Sequence, residues 1–401
     1  MFLTFMKKRI LINEINKYFN RKEALVITGM RQVGKTTLMR QVYNNSINKP
    51  KLWFDFENPL DVKIFEDIDY KNIYKKLIVL AEIKKNERLI VFIDEIQIFP
   101  EITKIIKYLI DHYQVKFIVT GSSNYYLKNL FPESLSGRKF IFQLNPLSFR
   151  EYLYFQNKLS FEGSDQADIT KVIALSDIFY HKKYEVDYEM YLRFGGFPAV
   201  VLEESHEIKK QILKNIFASF FEKDLKILSN YKDIQELRDL LLLLVPRIGS
   251  MLDITRISSE LSINRSKIYN YLEFLQGVFI IKLLPRYAKG IDRSVAGGRK
   301  VYFSDTGLLN VIGNVNEAQL IENAVISQLF QYGQVSFYNK RNTAEIDAIL
   351  EKKLAFEIKL KGTEKDLIKM KKLSSELGLA NGYIVSKNYV EQKGFISPVI
   401  L

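Results

Sequence analysis

The stretch Val26-Ile27-Thr28-Gly29-Met30-Arg31-Gln32-Val33-Gly34-Lys35-Thr36-Thr37 decides the fold of the first part of this chain. An apolar strand opens here into the spacing GxxxxGK[ST] and then into a helical pattern, which is typical of a phosphate-binding loop. The two glycines let backbone N–H groups turn toward phosphate oxygens, while Lys35 reaches the terminal phosphates and the Thr36 hydroxyl can hold Mg²⁺. The stretch predicts an ATP or GTP site formed by Gly29, Arg31, Gln32, Val33, Gly34, Lys35, Thr36 and Thr37.

A pattern as short as this one could also be an ordinary glycine-bearing turn. A second motif favours a nucleotide site over that alternative. The segment Arg88-Leu89-Ile90-Val91-Phe92-Ile93-Asp94-Glu95 is an apolar strand that ends in two acids. Proteins with a phosphate-binding loop need such acids to hold the metal ion and to activate or orient water. The two motifs together therefore predict nucleotide binding, with Asp94 assigned to Mg²⁺.

Composition sets the broad class of the protein. A chain of 401 residues exceeds the size at which one hydrophobic core keeps growing, so two to four domains are expected. The formal net charge is +13, with the basic excess in residues 1–150 and 246–299 around an acidic middle. This pattern suits a partner with phosphates, although a lysine-rich surface also serves solubility. No cysteine is present, and the three histidines are too scattered for a zinc site.

Targeting signals are not indicated by the sequence. The apolar start Met1–Met6 is short and precedes the basic residues Lys7-Lys8-Arg9, which reverses the order of a secretory signal. The longest apolar run, Leu240–Val245, is far below the ~20 residues that span a bilayer. We therefore expect a soluble, cytoplasmic protein without a membrane partner.

The periodicity of apolar residues predicts an α/β architecture for the first part of the chain. A helical pattern over 9–19 leads into the loop strand, and four more strand-like runs follow. Parallel strands alternating with helices indicate a doubly wound sheet with its ligand at the carboxyl ends of the strands. The further runs are Lys51–Phe56, Leu89–Asp94, Lys116–Thr120 and Lys139–Leu144. The expected domains are 1–150 for the ATPase, 151–245 for a helical domain, 246–299 for a winged helix and 300–401 for a nuclease-like α/β domain.

The third predicted domain has the pattern of a winged helix. Ile254–Leu261, a short turn and Arg265–Gln276 form a helix-turn-helix, followed by an apolar strand over 278–284 and a basic return over 289–299. The alternative is a packing module with the same fold. If the domain binds nucleic acid, with DNA as the first choice, residues of the second helix would face a groove and arginines and lysines of the return would contact phosphates. The candidates are Arg265, Ser266, Lys267 and Asn270 for the groove, and Arg286, Lys289, Arg293 and Arg299 for phosphates.

Two alternating segments near the end of the chain, 344–350 and 354–360, predict a β-hairpin. Pairing Leu350 with Leu354 places Asp347 opposite Glu357, and Lys359 lies two residues further along the same face. Opposed carboxylates are destabilising unless a cation lies between them. With Glu322 from the preceding helix, the arrangement is that of PD-(D/E)xK nucleases, in which acids hold Mg²⁺ and the lysine polarises water. The alternative is the solvated polar face of a hairpin.

Several motifs together resemble those of a prokaryotic family of AAA-superfamily ATPases. Members of that family couple a phosphate-loop core to a winged helix and to a nuclease-like carboxyl-terminal domain of unknown function. The resemblance covers nearly the whole chain. It rests on Gly29–Thr37, Phe92–Gln97, Thr120–Ser123, Leu135–Arg138, Leu144–Phe149, Lys300–Leu308 and Phe356–Lys359.

The resemblance implies roles for individual residues. Lys35 would contact the phosphates, Thr36 and Asp94 would organise Mg²⁺, and Glu95 would activate the attacking water. Ser122 or Ser123 would be the polar sensor at the end of the fourth strand, where many relatives have asparagine. Arg138 is the candidate arginine finger, for its own site or for a neighbour's in a homo-oligomer, and Arg31 competes for that role.

Two functions of different classes remain open at this point. The first is an ATP-hydrolysing switch that acts on nucleic acid, with a metal-dependent nuclease domain. The second is a signalling or scaffold ATPase whose later domains bind protein partners and whose nuclease-like site is inactive. A phosphoryl transferase is the weaker third option, because Glu95 directly after Asp94 favours water as the acceptor.

Overall fold

The computed structural model describes residues 7–47, 49–83, 87–122, 137–164, 168–221, 231–288, 298–340 and 344–401. The chain divides into two compact units at the step from Asn145 to Pro146, with Gly277–Phe279 counted with the first unit. The finer division into four domains stays a prediction.

The first unit is built on five strands. They are β1 (Ala24–Thr28), β2 (Lys51–Asp55), β3 (Ile90–Asp94), β4 (Lys116–Gly121) and β5 (Lys139–Gln143). All neighbouring strands are parallel, in the order β2-β3-β4-β1-β5. The described helices are α1 (Leu11–Tyr18), α2 (Lys35–Asn45), α3 (Pro59–Lys63), α4 (Tyr70–Leu80) and α5 (Ile102–Tyr113). The predicted α/β fold with five parallel strands is confirmed.

Burial explains why these strands lie inside the unit. Every residue of β1, β3 and β4 is buried, as expected for parallel strands covered by helices on both faces. One face packs in a single hydrophobic cluster with apolar residues of α4 and α5, among them Ile73, Leu77 and Ile106. This packing holds the carboxyl ends of β1 and β3 in fixed positions at one edge of the sheet.

The second unit begins with helices. They are α6 (Phe149–Phe155), α7 (Phe161–Ser164), α8 (Ile169–Ile173), α9 (Ile178–Phe194), α10 (Pro198–Leu202), α11 (His206–Ser219) and α12 (Tyr231–Leu244). The longest of them, α9, buries Tyr184, Tyr188 and Tyr191. These three tyrosines therefore pack in the core of the second unit.

The predicted helix-turn-helix is present as α13 (Ile254–Leu261) and α14 (Arg265–Gly277). The turn depends on Ser262, whose φ of 56° lets the chain reverse, and on Ile263, which is buried. Strand β6 (Ile281–Pro285) pairs antiparallel with β7 (Arg299–Phe303). Most of the predicted wing, including Lys289 and Arg293, lies outside the described residues.

The carboxyl-terminal sheet has the order β12-β11-β10-β9-β8. Its strands are β8 (Val335–Lys340), β9 (Ala344–Leu350), β10 (Leu354–Lys359), β11 (Asn381–Ser386) and β12 (Phe395–Ile396), with helices α15 (Thr306–Ile312), α16 (Glu317–Leu329) and α17 (Glu364–Leu377). Strands β9 and β10 form the predicted hairpin, and Leu350 pairs with Leu354 as expected. No helix within the described ranges is long and apolar enough to cross a membrane.

Candidate functional site

The predicted phosphate-binding loop lies at the carboxyl end of β1 and leads directly into α2. Gly34 caps this helix with a φ of 96°, and no atom lies within 4 Å of the position that a Cβ would take there. A Cβ on Gly29 would lie 2.1 Å from the carbonyl oxygen of Leu144, so only glycine fits. The loop therefore has the open helix N-terminus that suits a phosphate group.

Two cationic side chains hold the loop. The Lys35 ammonium donates to the carbonyl oxygens of Gly29 at 3.0 Å and Met30 at 2.9 Å, so it already lies over the loop. The Arg9 guanidinium is 4% exposed and donates to the carbonyls of Val33 and Asn145, both at 2.8 Å. This role of Arg9 was not predicted, because a single arginine before a helix carries no signal for such a role.

The two acids after β3 lie beside the end of β4, as the strand order requires. The Thr120 hydroxyl donates to the buried Asp94 carboxylate and accepts the Glu95 N–H at 3.0 Å. Burial raises the pKa of Asp94, and hydrogen bonds from Thr120 and Thr36 oppose that rise. Thr36 and Asp94 are therefore close together, which fits the predicted Mg²⁺ ligands.

Glu95 has a left-handed backbone with a φ of 55°, a conformation that costs free energy in a residue with a side chain. The side-chain amide of Gln97 holds its carboxylate, donating to Glu95 Oε2 and, at 3.1 Å, to Ser122 Oγ. Ser122 is thus placed near Glu95, whereas Ser123 lies outside the described residues. Thr120 and Gln97 belong to the motifs that carry the family resemblance, but nothing in the local pattern predicts their roles.

Arg138 is not brought to the nucleotide site of its own chain. It precedes β5, whose first residue Lys139 pairs with Ala24 at the amino end of β1. A five-residue strand separates it from the loop, about 16 Å at the usual rise per residue. Its Nε donates to Asp111 at 2.7 Å. In this arrangement Arg138 does not reach the loop of its own chain, and its role as an arginine finger stays a prediction.

Replacing Thr120 with valine should lower both stability and ATP turnover. Valine keeps the shape but leaves the Asp94 carboxylate and the Glu95 N–H without their partner, which costs about 1–3 kcal/mol for a buried polar group. Urea denaturation and phosphate release would measure the two effects. The matched control is Thr28→Val in the adjacent strand, because the buried Thr28 hydroxyl has no hydrogen-bond partner in the described structure. Equal losses in both variants would contradict this role of Thr120.

The second predicted site lies in the carboxyl-terminal sheet, where an acid cluster comprises Glu322, Glu345, Asp347 and Glu357. The Asp347 Oδ2 accepts the Ile358 N–H at 2.8 Å, across the predicted hairpin. The Lys359 ammonium lies 2.8 Å from Glu357 Oε1. Burial, followed by the charge of Asp347, raises the pKa of Glu322 and of Glu357 to about 7. The structure thus brings together the four residues predicted for a nuclease-like site.

Lys300, for which no separate role was predicted, lies among these acids. The Lys300 ammonium is 2.6 Å from Glu345 Oε1, 3.9 Å from Asp347 Oδ1 and 4.0 Å from Glu322 Oε1. Within the described part of the chain, no three acidic, histidine or cysteine side chains are grouped so that they could hold a metal ion. Lys300 thus supplies a cation to the acid cluster from within the chain.

The predicted nucleic-acid contacts on α14 and β7 differ in their surroundings. Arg265, Asn270 and Arg299 are exposed. Lys267 lies 2.6 Å from Asp233 and 2.5 Å from Glu236, so acids of its own unit balance its charge. These hydrogen-bonded acids raise the pKa of Lys267 well above its usual value. The exposed residues remain candidates for contact with nucleic acid, whereas the Lys267 charge is already used inside the fold.

Comparison with known families agrees with this geometry. Residues 21–153 match the family model described as an AAA domain. This part of the chain is similar to AAA domains. Residues 185–319 and 317–396 match two models that are each described as a domain of unknown function, DUF8612 and DUF4143 respectively. The similarity to a described family is thus limited to residues 21–153, and much of the remaining chain is similar to domains of unknown function.

Relatives from distant prokaryotes align with most of this chain and over most of their own length. An uncharacterized protein of Methanocaldococcus jannaschii is 28% identical over 398 residues, covering 94% of this chain and 84% of its own. An uncharacterized protein of Haemophilus influenzae is 28% identical over 356 residues, covering 83% of this chain and 82% of its own. The similarity thus extends over most of this chain and is not limited to residues 21–153.

Two solved structures align over much of the chain. The Orc1 protein of Aeropyrum pernix, in complex with DNA, is 12% identical with a TM-score of 0.33, over 77% of this chain and 94% of that protein. Cdc6p from Pyrobaculum aerophilum is 11% identical with a TM-score of 0.31, over 80% of this chain and 96% of that protein. Similarity at this level supports no argument about function.

Proposed function

We propose that this protein binds ATP with Mg²⁺, hydrolyses it, and uses the nucleotide state to control binding by its second unit. The observation that carries the proposal is the pair Asp94 and Glu95 beside the open N-terminus of α2. Asp94 is within hydrogen-bonding reach of Thr36, so both can serve one Mg²⁺. The Glu95 carboxylate, held by Gln97, is the group that would accept a proton from water.

Each residue of the site has a separate task in this proposal. The N–H groups of the loop and the Lys35 ammonium bind the phosphates, and the ammonium exchanges its loop carbonyls for phosphate oxygens. Bound Mg²⁺ would offset charge on the phosphates. Thr120 holds Asp94 and the strained Glu95 backbone together, so the acids are positioned before the nucleotide arrives. The direct test is phosphate release from ATP by the purified full chain with Mg²⁺.

Nucleic acid is the partner that we propose for the second unit. The support is the helix-turn-helix of α13 and α14, with Arg265 and Asn270 exposed on the second helix and Arg299 exposed on β7. The high overall basicity favours a polyanion as well. A nuclease activity is not included in this proposal, because Lys300 already supplies a cation to the acid cluster from within the chain.

Binding to nucleic acid should fall steeply with salt and depend on the exposed arginines. Fluorescence anisotropy with duplex DNA, single-stranded DNA and RNA, in ATP-analogue and ADP states, would measure it. Replacing Arg265 with alanine should weaken the free energy of binding by about 1–3 kcal/mol if Arg265 contacts a base. The Arg299→Ala variant should reduce the slope of log binding constant against log salt concentration by about 1. Arg256→Ala is the control, because Arg256 is paired with Glu260. The absence of salt-sensitive binding in both nucleotide states would reject this partner.

A protein partner is the second candidate, and two observations favour it. The charges of Lys267 and Lys300 are balanced by acids of their own unit, so neither is available to phosphates. A surface on which fewer lysines are available to phosphates suits a protein partner better than a nucleic-acid partner. Affinity purification of the full chain in a hydrolysis-blocked state tests this version. It is supported if a stoichiometric protein partner is recovered and nucleic-acid binding is absent.

A further inference from the structure

We infer that Lys300 is the built-in cation of the acid cluster, so that this part of the second unit is a structural centre that does not bind a divalent metal. The inference concerns Glu322, Asp347 and Glu357, which the sequence patterns predicted as metal ligands. It stands apart from the proposed ATP site, since every residue that carries it lies in the second unit.

The position of Lys300 is the first argument. Lys300 is 3% exposed on β7, and its ammonium lies within 4.0 Å of carboxylates from three positions on α16 and β9. Mg²⁺ bound to the same oxygens would lie at 2.0–2.1 Å from each, hence beside the ammonium. Two cations at that separation repel each other strongly where water is excluded. One buried ammonium therefore takes the place that a metal ion would need.

The pairing of charges within the cluster is the second argument. Three of its carboxylates lie within 4.0 Å of the Lys300 ammonium, and the fourth, Glu357, lies 2.8 Å from the Lys359 ammonium. Two cations of the chain itself thus offset part of the negative charge of the four acids. A divalent cation would have to displace or face these ammonium groups.

The remaining hydrogen bonds of the acids are the third argument. The Tyr302 hydroxyl donates to Glu322 Oε1 at 2.7 Å, and the Ile358 N–H occupies Asp347 Oδ2. Glu357 Oε1 contacts Lys359, while Oε2 is buried without a hydrogen-bond partner in the described structure. Three carboxylate oxygens of the cluster are therefore already bound by groups of the protein, so a metal ion would have to compete with them. The acids are thus engaged by the protein itself.

Manganese binding by the nucleotide-free full chain tests the inference. The wild type should show no Mn²⁺ site in the second unit by electron paramagnetic resonance or calorimetry at submillimolar metal. The Lys300→Met variant keeps the aliphatic stem but leaves the acids without their cation, so it should melt at a lower temperature. Millimolar Mg²⁺ or Mn²⁺ should then raise its melting temperature, whereas the wild-type value should not respond.

Lys359→Met is the matched control, since it removes the other ammonium of the same cluster at a more exposed position. It should not gain the metal response, and an equal gain would show that total charge, not the position of Lys300, excludes the metal. A wild-type Mn²⁺ site that is lost in Asp347→Asn would overturn the inference outright. If Lys300→Met does not fold, that wild-type comparison still decides the question. Metal-dependent cleavage of DNA or RNA by the wild type, lost in Asp347→Asn, would overturn it too.

Discussion

The Glu95→Gln variant should keep ATP bound and hydrolyse it about 10²- to 10⁴-fold more slowly, the range for loss of a general base. Glutamine has the shape of glutamate but cannot accept a proton from water. The groups that bind phosphate, namely the loop N–H groups and Lys35, are unchanged. The Gln97 amide can still donate to the new side-chain oxygen, so the local structure should persist.

Two measurements separate the expected outcomes for this variant. Phosphate release under single-turnover conditions gives the rate of hydrolysis, and filter binding gives the affinity for ATP. Glu101→Gln is the control, because Glu101 is an exposed acid just before α5. Turnover at the wild-type rate in Glu95→Gln would assign the proton acceptor to another residue. A loss of ATP affinity equal to the loss of rate would instead indicate a role in binding.

Lys35→Ala should weaken ATP binding by about 10- to 100-fold, as expected for loss of hydrogen bonds between charged groups worth 1.5–3 kcal/mol. In the structure the ammonium lies over the loop through the carbonyls of Gly29 and Met30, so it is already in place for a phosphate. A nucleotide would replace these two carbonyls with phosphate oxygens that carry full charge. The alanine variant lacks that exchange.

Thermal melting with and without ATP distinguishes lost binding from lost folding. The wild type should melt higher with ATP, because a ligand that binds only the native state stabilises it in proportion to its affinity. Lys35→Ala should keep most of the nucleotide-free melting temperature and lose most of the shift. Lys104→Ala, an exposed lysine on α5, is the control and should keep the full shift. An unchanged shift in Lys35→Ala would contradict the assignment of the loop.

In the first unit, local sequence patterns were enough to predict the strands and the phosphate loop. Its five strands were predicted within one or two residues of their observed ends, because buried parallel strands are continuous apolar runs. The glycine and lysine spacing of the loop places these groups at a helix N-terminus in any such fold. The hairpin register of β9 and β10 was predicted correctly as well, since a three-residue connection leaves little freedom.

Contacts between distant parts of the chain could not be predicted in the same way. Thr120 acts on Asp94 and Glu95 only because β4 lies beside β3, and this neighbour relation is absent from local periodicity. Arg138 is far from the loop because β5 runs parallel to β1, which puts the amino end of one beside the amino end of the other. Arg9 reaches Val33 across 24 residues of sequence.

The sequence by itself determined the phosphate loop, the two acids after β3, the five-stranded sheet and the pairing of Leu350 with Leu354. Each follows from spacing within one segment, where backbone geometry fixes which side chains share a face. Only the tertiary structure decided which charges neutralise each other. Lys300 lies among acids 22 to 47 residues away in the chain, and no local pattern shows that a buried ammonium holds the place expected for a metal ion.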